Sequence, residues 1–307
     1  MTLKEYQEYN SSFRDSFIYR LGGCTGFFSE YNNMVLAMHY CLIHGLQFVL
    51  ESEGANFSSG KGWAEFFEPF CREASNRWLN RYNHRIKPVY RNWFDRLCFN
   101  AYKRVHPHSR YMYSLFKTIR RQKVNKVYDI PSLGLSGTLL ENCSELHRLI
   151  WNYNQKTGEE IRTLIQSLHL PEKYAGLHVR QGDKSEETDL FPADSYIKYL
   201  QCYSDEKNVF VLTDDYRVIE SLREQYPEYR FFTLCQTDEE GYSLPKLLRM
   251  SPDEQRKSYL RLWASMDILE NSCIFVGTYS ANPGMNMGFR MSEDKIKCID
   301  YDKWLLW

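Results

Sequence analysis

The stretch AGLHVRQGDKSEETDLFPADSYIKYLQCYSDEKNVFVLTDD, residues 175–215, decides the fold. AGLHV and NVFVLT are short apolar runs of strand length, and DSYIKYLQCYSDE between them has the spacing of an amphipathic helix. Strand, helix and strand in that order predict two parallel strands joined by a right-handed crossover. Toward the C-terminus the alternation continues. YRVIESLREQYP reads as a helix, YRFFTL as a strand, DEQRKSYLRLWASMDILENS as a helix and SCIFVGTYS as a strand. NPGMNMGFRM then starts a helix and KIKCID is a last strand. Residues 169–307 thus form a nucleotide-binding type of α/β domain. They lack G-x-G-x-x-G, so the dinucleotide fingerprint does not support that reading.

Toward the N-terminus the pattern is less regular. A long amphipathic helix is expected from Glu145 to Leu168, with a break at Gly158, and residues 129–140 carry Pro and Gly and read as a connecting loop. Residues 72–126 hold 15 Lys and Arg against two acids, Glu73 and Asp95, interleaved with Trp and Tyr; a helical, partly exposed segment is expected there. Further up, Gly22-Gly23 make a turn, an apolar helix runs from about Asn32 to His44, Gly45 stops it, and LQFVL is a short strand. Residues 1–168 are therefore a first α/β domain that includes the basic segment.

Composition limits the function. The chain has 307 residues, 25% charged and 43% hydrophobic, which suits one large or two ordinary folded domains. Lys plus Arg number 39 and Asp plus Glu 39, so a globally basic nucleic-acid protein and an acidic tail protein are both excluded. Aromatics reach 16%, which fits either stacking surfaces or a core of large side chains. No apolar run approaches a membrane span, and the polar start MTLKEYQEYNSSFRDSF has no signal-peptide core. Nine cysteines, odd in number and without a C-x-x-C, read as free thiols of a reducing compartment. Together these predict a cytoplasmic protein, with peripheral contact to a membrane left open. No zinc-ligand spacing is present.

In an open parallel sheet, ligands bind beyond the carboxyl ends of the strands. Arg180-Gln181-Gly182-Asp183-Lys184 follows the first strand of the block, Thr213-Asp214-Asp215 the second, and Thr278-Tyr279-Ser280 a later one. Arg180 offers a planar fork suited to a diphosphate. The helix start after Ser280 offers amides and a positive dipole end. His178 can bond a base or phosphate oxygen, and Asp183, Lys184, Glu186 and Glu187 put acid–base groups beside that anion site. Each feature also has a structural reading. Arg180 can sit in an ion pair, Asp215 can cap the next helix, Thr278-Tyr279-Ser280 can merely turn the chain, and the glutamates can be a solvated turn.

Taken in order, HVRQGDK (178–184), VLTDD (211–215) and FVGTYSAN (275–282) resemble the three motif blocks of the α1,6-fucosyltransferases, and LESEGANFSSGKGWAEFFEPFC (50–71) resembles an upstream block of that family. The glycine turn near Gly23 and Gly26 falls where the family has a Gly-Cys-rich loop. The resemblance runs over about 20–71 and 145–290 and leaves 72–126 unmatched. It implies a GT-B-like fold, two Rossmann-type α/β domains facing a cleft, in a trimmed catalytic core. It further implies that His178 and Arg180 hold the GDP of GDP-fucose, with Arg180 on the β-phosphate. Asp183, Lys184 and Glu187 would form the catalytic network. Asp214 and Asp215 match essential aspartates, Tyr279 and Ser280 the third block, and Asp267 the residue that reads guanine. Ala281 replaces the block's second serine.

The reaction implied is inverting transfer of fucose from GDP-fucose to a glycan hydroxyl, α1,6-linked, without a metal or other cofactor. Two alternatives stand beside it: a transferase of another nucleotide sugar, and a non-catalytic glycan- or nucleotide-binding protein on the same scaffold. The basic segment 72–126 suggests an anionic partner, namely a lipid-linked or phosphorylated acceptor or the membrane surface. Internal pairing with the acidic 236–254 stretch is the other reading of its charge, and no nucleic-acid partner is expected.

Overall fold

The computed structural model describes residues 1–23, 25–75, 77–181 and 191–305. The chain divides into two compact α/β units, the first ending at Asn154 and the second running from Gln155 to Leu305. Each is built on a parallel sheet, the pairing of units that a GT-B fold has.

The first unit opens with helix α1 (Leu3–Ser11), whose capping box joins Thr2 and Glu5. Its sheet has the order β2-β1-β3, with β2 (Gln47–Glu51) and β3 (Ser109–Tyr111) both parallel to β1 (Ser16–Arg20). Between β1 and β2 runs α2 (Phe27–His44), which starts five residues before the expected Asn32 and is buried along most of its length. Gly45 ends it in the left-handed conformation, with φ 63°.

The basic segment is less helical than its composition suggests. It holds α3 (Arg77–Asn80), α4 (Trp93–Val105), β3 and α5 (Met112–Ile119). Three-residue β3 is too short to show a period of two in the sequence. The expected loop at 129–140 is instead a hairpin of β4 (Val127–Ile130) and β5 (Leu135–Thr138), turned by Gly134 at φ 63°.

The long helix expected over 145–168 is two helices, α6 (Leu139–Ile150) and α7 (Gln155–Ser167). The break falls at Trp151–Asn154 rather than Gly158, because the backbones of Asn152 and Asn154 bond to those of Glu68 and Phe66. Helix α7 packs on α11 (Pro252–Glu270) of the second unit, which is why the units divide ahead of residue 168. Most aromatics of the first unit are core, stacked as Trp63 is on Phe67 at 4.2 Å.

The second unit has five parallel strands in the order β10-β9-β6-β7-β8. These are β6 (Ala175–Val179), β7 (Asn208–Thr213), β8 (Arg230–Phe232), β9 (Phe275–Gly277) and β10 (Ile296–Cys298). Helices α8 (Ala193–Gln201), α9 (Tyr216–Gln225), α10 (Leu244–Leu247), α11 and α12 (Asn282–Arg290) complete it. The buried strand side chains pack with Tyr196, Ile197, Leu200, Ile219 and Leu222 of α8 and α9 in one apolar cluster. The chain runs outward from β6 to β8, then returns to lay β9 on the other side of β6. This makes the β6–β9 boundary a switch point, where the connections leave in opposite directions and a crevice forms.

Candidate functional site

Register places Gly176 of β6 beside Phe275 and Leu177 beside Val276, so Arg180 and Thr278–Ser280, which follow the two strands, lie at the same end of neighbouring strands. His178, next to last in β6, is buried at 3% exposure, and its Nδ1 has no hydrogen-bond partner among the described residues. Burial, helped by the nearby Arg180 charge, pushes the imidazole down to about 4, so it is neutral near pH 7.

Arg180 is fixed on two sides. Its Nη1 donates to Asp214 Oδ2 at 2.8 Å, and its guanidinium lies over the Tyr242 ring at 4.8 Å. Asp214, just beyond β7, also accepts from the backbone N–H of Gln181 at 2.8 Å and of Tyr242 at 2.9 Å. One carboxylate therefore ties the β6 loop to the 240–242 loop. Its own carbonyl accepts from Gly241 N at 2.7 Å, closing the same junction.

Asp215 does what its place before a helix permits. It is the N-cap of α9, accepting from Arg217 N at 3.0 Å, and it accepts from the Arg217 guanidinium as well. That side-chain pairing with Arg217 holds its carboxyl below the usual range. The ion-pair and helix-cap readings of Arg180 and Asp215 are thus both realised.

The third loop is tied down by its own backbone. The amides of Tyr279 and Ser280 donate to Asp300, at 2.9 and 2.8 Å, so they are engaged by a carboxylate of the chain itself. Helix α12 begins after Ala281, which supplies no side-chain cap. At Gly284, in its first turn, a Cβ would stand 2.0 Å from the Thr278 carbonyl oxygen, so only glycine lets the helix start pack against this loop. Tyr279 is buried, and desolvation raises its hydroxyl pKa.

Asp267 lies on α11 and accepts from Arg290 Nη1 at 3.0 Å, in a buried network with Glu270 and Asn286. Gly23 and Gly26 belong to the first unit: Gly23 lies where a Cβ would meet the Arg20 guanidinium at 3.5 Å, and Gly26 is the N-cap of α2. Asp183, Lys184 and Glu187 lie outside the described residues. The structure thus brings together His178, Arg180, Asp214, Asp215, Tyr279 and Ser280 at one sheet end.

Three residues of this junction were not read from the sequence: Tyr242, Arg217 and Asp300. Asp300 had a signal, since it stands just beyond β10, where the rule used for the other strands looks for polar groups. Tyr242 had none, because it lies 62 residues from Arg180 in a loop without a motif. Among the described residues, no group of three or more His, Cys, Asp or Glu side chains could hold a metal ion, and no helix is long and apolar enough to cross a membrane.

Known proteins bear on this geometry. Among solved structures, the NodZ α-1,6-fucosyltransferase soaked with GDP-fucose is similar over 91% of this chain and 93% of its own, at 14% identity and TM-score 0.52. Fucosyltransferase NodZ from Bradyrhizobium is similar over 88% and 91%, at 14% identity and TM-score 0.50. No curated protein sequence matches the chain. The family model described as alpha-(1,6)-fucosyltransferase N- and catalytic domains matches residues 35–241. That match takes in the β6 end and both aspartates after β7, and by it the chain belongs to the α-(1,6)-fucosyltransferase family.

Proposed function

We propose that the chain transfers fucose from GDP-fucose to a hydroxyl of a glycan acceptor, with inversion at the anomeric carbon and an α1,6 linkage. The observation that carries this reading, in a chain of this family, is the β6 end. A buried neutral imidazole, one nitrogen of which has no partner among the described residues, stands two residues from an arginine whose plane is already set by Asp214 and Tyr242.

In the reaction the bond from the anomeric carbon to the β-phosphate oxygen breaks. A bond to the acceptor oxygen forms on the opposite face, and the acceptor proton passes to a base. The departing GDP gains negative charge. Donors fixed beforehand stabilise that charge more than they stabilise the bound donor, which is what lowers a barrier. Asp214 and Tyr242 give Arg180 that fixity, and Asp300 holds the neighbouring loop still. His178 Nδ1 is a site for a ligand oxygen or N–H, whichever its tautomer requires; leaving it unpaired costs about 1–3 kcal/mol, which a bound nucleotide would relieve. Asp183 and Glu187 remain the candidate bases, with Lys184 beside them.

We hold the reaction to be independent of metal. The adjacent carboxylates Asp214 and Asp215 are paired with Arg180 and Arg217, which leaves them ill-placed to share a cation. Turnover should survive a chelator.

Calorimetry tests the donor. GDP should bind with a Kd in the micromolar range, on the order of −8 kcal/mol, and UDP far more weakly. Equal binding of the two would overturn the reading.

A further inference from the structure

Six of the ten large apolar side chains exposed among the described residues fall within residues 86–105: Ile86, Val89, Trp93, Phe94, Leu97 and Val105. Single exposed apolar side chains are ordinary, but a cluster of this kind marks a contact surface. Helix α4 carries four of the six. Its inner side is occupied: Phe99 stacks on Tyr82 at 4.5 Å, and Tyr102 meets Trp78 at 5.3 Å. On its outer side Trp93, Leu97, Ala101 and Val105 recur every four residues and form one row roughly 18 Å long, with Phe94 beside them. Trp93 is 73% exposed and Phe94 62%.

The charge around this row has one sign. Residues 86–105 contain Lys87, Arg91, Arg96, Lys103 and Arg104 against a single acid, Asp95. Asp95 faces inward, where it accepts from the Tyr82 hydroxyl and the Arg91 backbone N–H. The ion pairs of the wider segment include Arg81 with Asp95, Arg85 with Glu30 and Arg110 with Asp15. Lys87, Arg91, Arg96 and Arg104 are exposed and take part in no ion pair among the described residues.

We propose that this outer face of α4, with Ile86 and Val89 ahead of it, docks on the surface of an anionic lipid bilayer. Trp and Phe favour the headgroup boundary, apolar side chains below them enter the acyl edge, and the arginines meet lipid phosphates. A soluble polyanion would engage the arginines but leave the apolar row in water. A second copy would set this basic face against itself, with like charges opposed. The proposal rests on the first unit alone and is independent of which donor the second unit takes.

The test is co-sedimentation with vesicles of phosphatidylcholine, with and without about a third phosphatidylglycerol. The wild type should pellet with the anionic vesicles and stay soluble with the neutral ones. Binding should weaken as salt shortens the Debye length from about 8 Å at 0.15 M to about 3 Å at 1 M. Arg91→Glu, Arg96→Glu and Arg104→Glu combined should cut partitioning by on the order of a hundredfold. Trp93→Ser, Phe94→Ser and Leu97→Ser combined should cut it about tenfold or more. Both variants leave Phe99 and Asp95 in place, and unchanged melting and GDP affinity would verify their folding. Should either fail to fold, the wild-type contrast between the two vesicles still decides. Equal binding to both vesicles, or to neither, overturns the proposal. Retention on heparin without vesicle binding overturns it in favour of a soluble anionic partner. A solution dimer dispersed by the serine variant overturns it in favour of self-association.

Discussion

The two parallel sheets end in different chemistry. At the carboxyl ends of β1 and β2, Arg20 donates to the Asn80 carbonyl at 2.7 Å, and Glu51 accepts from Asn83 at 3.1 Å while its Oε1 has no partner among the described residues. At the end of β6, His178 is likewise buried with an unpartnered atom, but the arginine that follows is held by a carboxylate and an aromatic face. Burial acts on both titratable groups in the direction that removes charge, raising Glu51 to about 7 and lowering His178 to about 4. The difference therefore lies in the arginines. One is tied to its own unit's backbone; the other is held by groups that set its plane, with its side chain 20% exposed. Orientation by side chains, more than burial or an orphaned atom, is what singles out the β6 end as the proposed donor site.

Replacing the arginine of the second edge should have the largest effect. Lysine cannot reproduce the planar fork or its stacking on Tyr242. Arg180→Lys should lower kcat about 10²- to 10³-fold with the fold intact, a loss of the size seen when one oxyanion donor is removed. Near-normal turnover would reduce the Arg180–Asp214 pair to a structural ion pair and erase the contrast. Asp214→Asn keeps the shape but removes the charge that orients Arg180, so a smaller fall of about tenfold is expected, in kcat more than in KM.

Acid titration sharpens the comparison from the stability side. His178 and His39, the latter bonded to Gln122 at 2.7 Å, are each lowered by burial to about 4 from 6.5. A histidine whose folded pKa is depressed contributes stability that is whole above the unfolded pKa and is lost as pH falls toward the folded one. Denaturant unfolding should therefore show stability dropping between pH 6.5 and 4, by on the order of 3 kcal/mol for each histidine. His178→Gln and His39→Gln should each flatten part of that drop. A histidine variant whose profile matches that of the wild type would mean that its imidazole is not held neutral.

Glu51 has the opposite sign. Its folded pKa is raised, so the folded chain keeps a proton that the unfolded chain has released between pH 4.5 and 7, and stability falls as pH rises through that window. Glu51→Gln keeps an acceptor for Asn83 but cannot ionise. It should match the wild type below pH 4.5 and be more stable at pH 8, by about 2 kcal/mol once incomplete burial is allowed for. A variant less stable at both pH values would show that Glu51 serves as a charged anchor.

The sequence made one unit far more legible than the other, for a physical reason. In the second unit every strand is separated from the next by a helix, so the hydrophobic period switches cleanly and β6 to β10 stand where the residues place them. In the first unit β3 is the polar Ser109-Arg110-Tyr111, without the apolar run that marks the equally short β8 to β10, and β4–β5 is a hairpin in a Pro- and Gly-bearing stretch that reads as loop. One local signal was there to use: Thr138 and Glu141 form a capping box that starts α6 at Leu139, ahead of the expected Glu145. At the site, His178, Arg180, Asp214 and Asp215 were legible because each follows or ends a strand. Tyr242 was not, because its place under Arg180 is set by tertiary contact, through Asp214 and the backbone of Gly241.

The central claim is that this strand end carries fucose transfer from GDP-fucose, and a product assay tests it most directly. The wild-type chain is incubated with GDP-β-L-fucose on a glycan array, with GDP-mannose and UDP sugars in parallel, and labelled glycans are read for linkage. The account predicts α1,6-linked fucose on at least one glycan from GDP-fucose alone. Labelling from a UDP sugar as strong as from GDP-fucose, or no labelling while GDP binds normally, would contradict it.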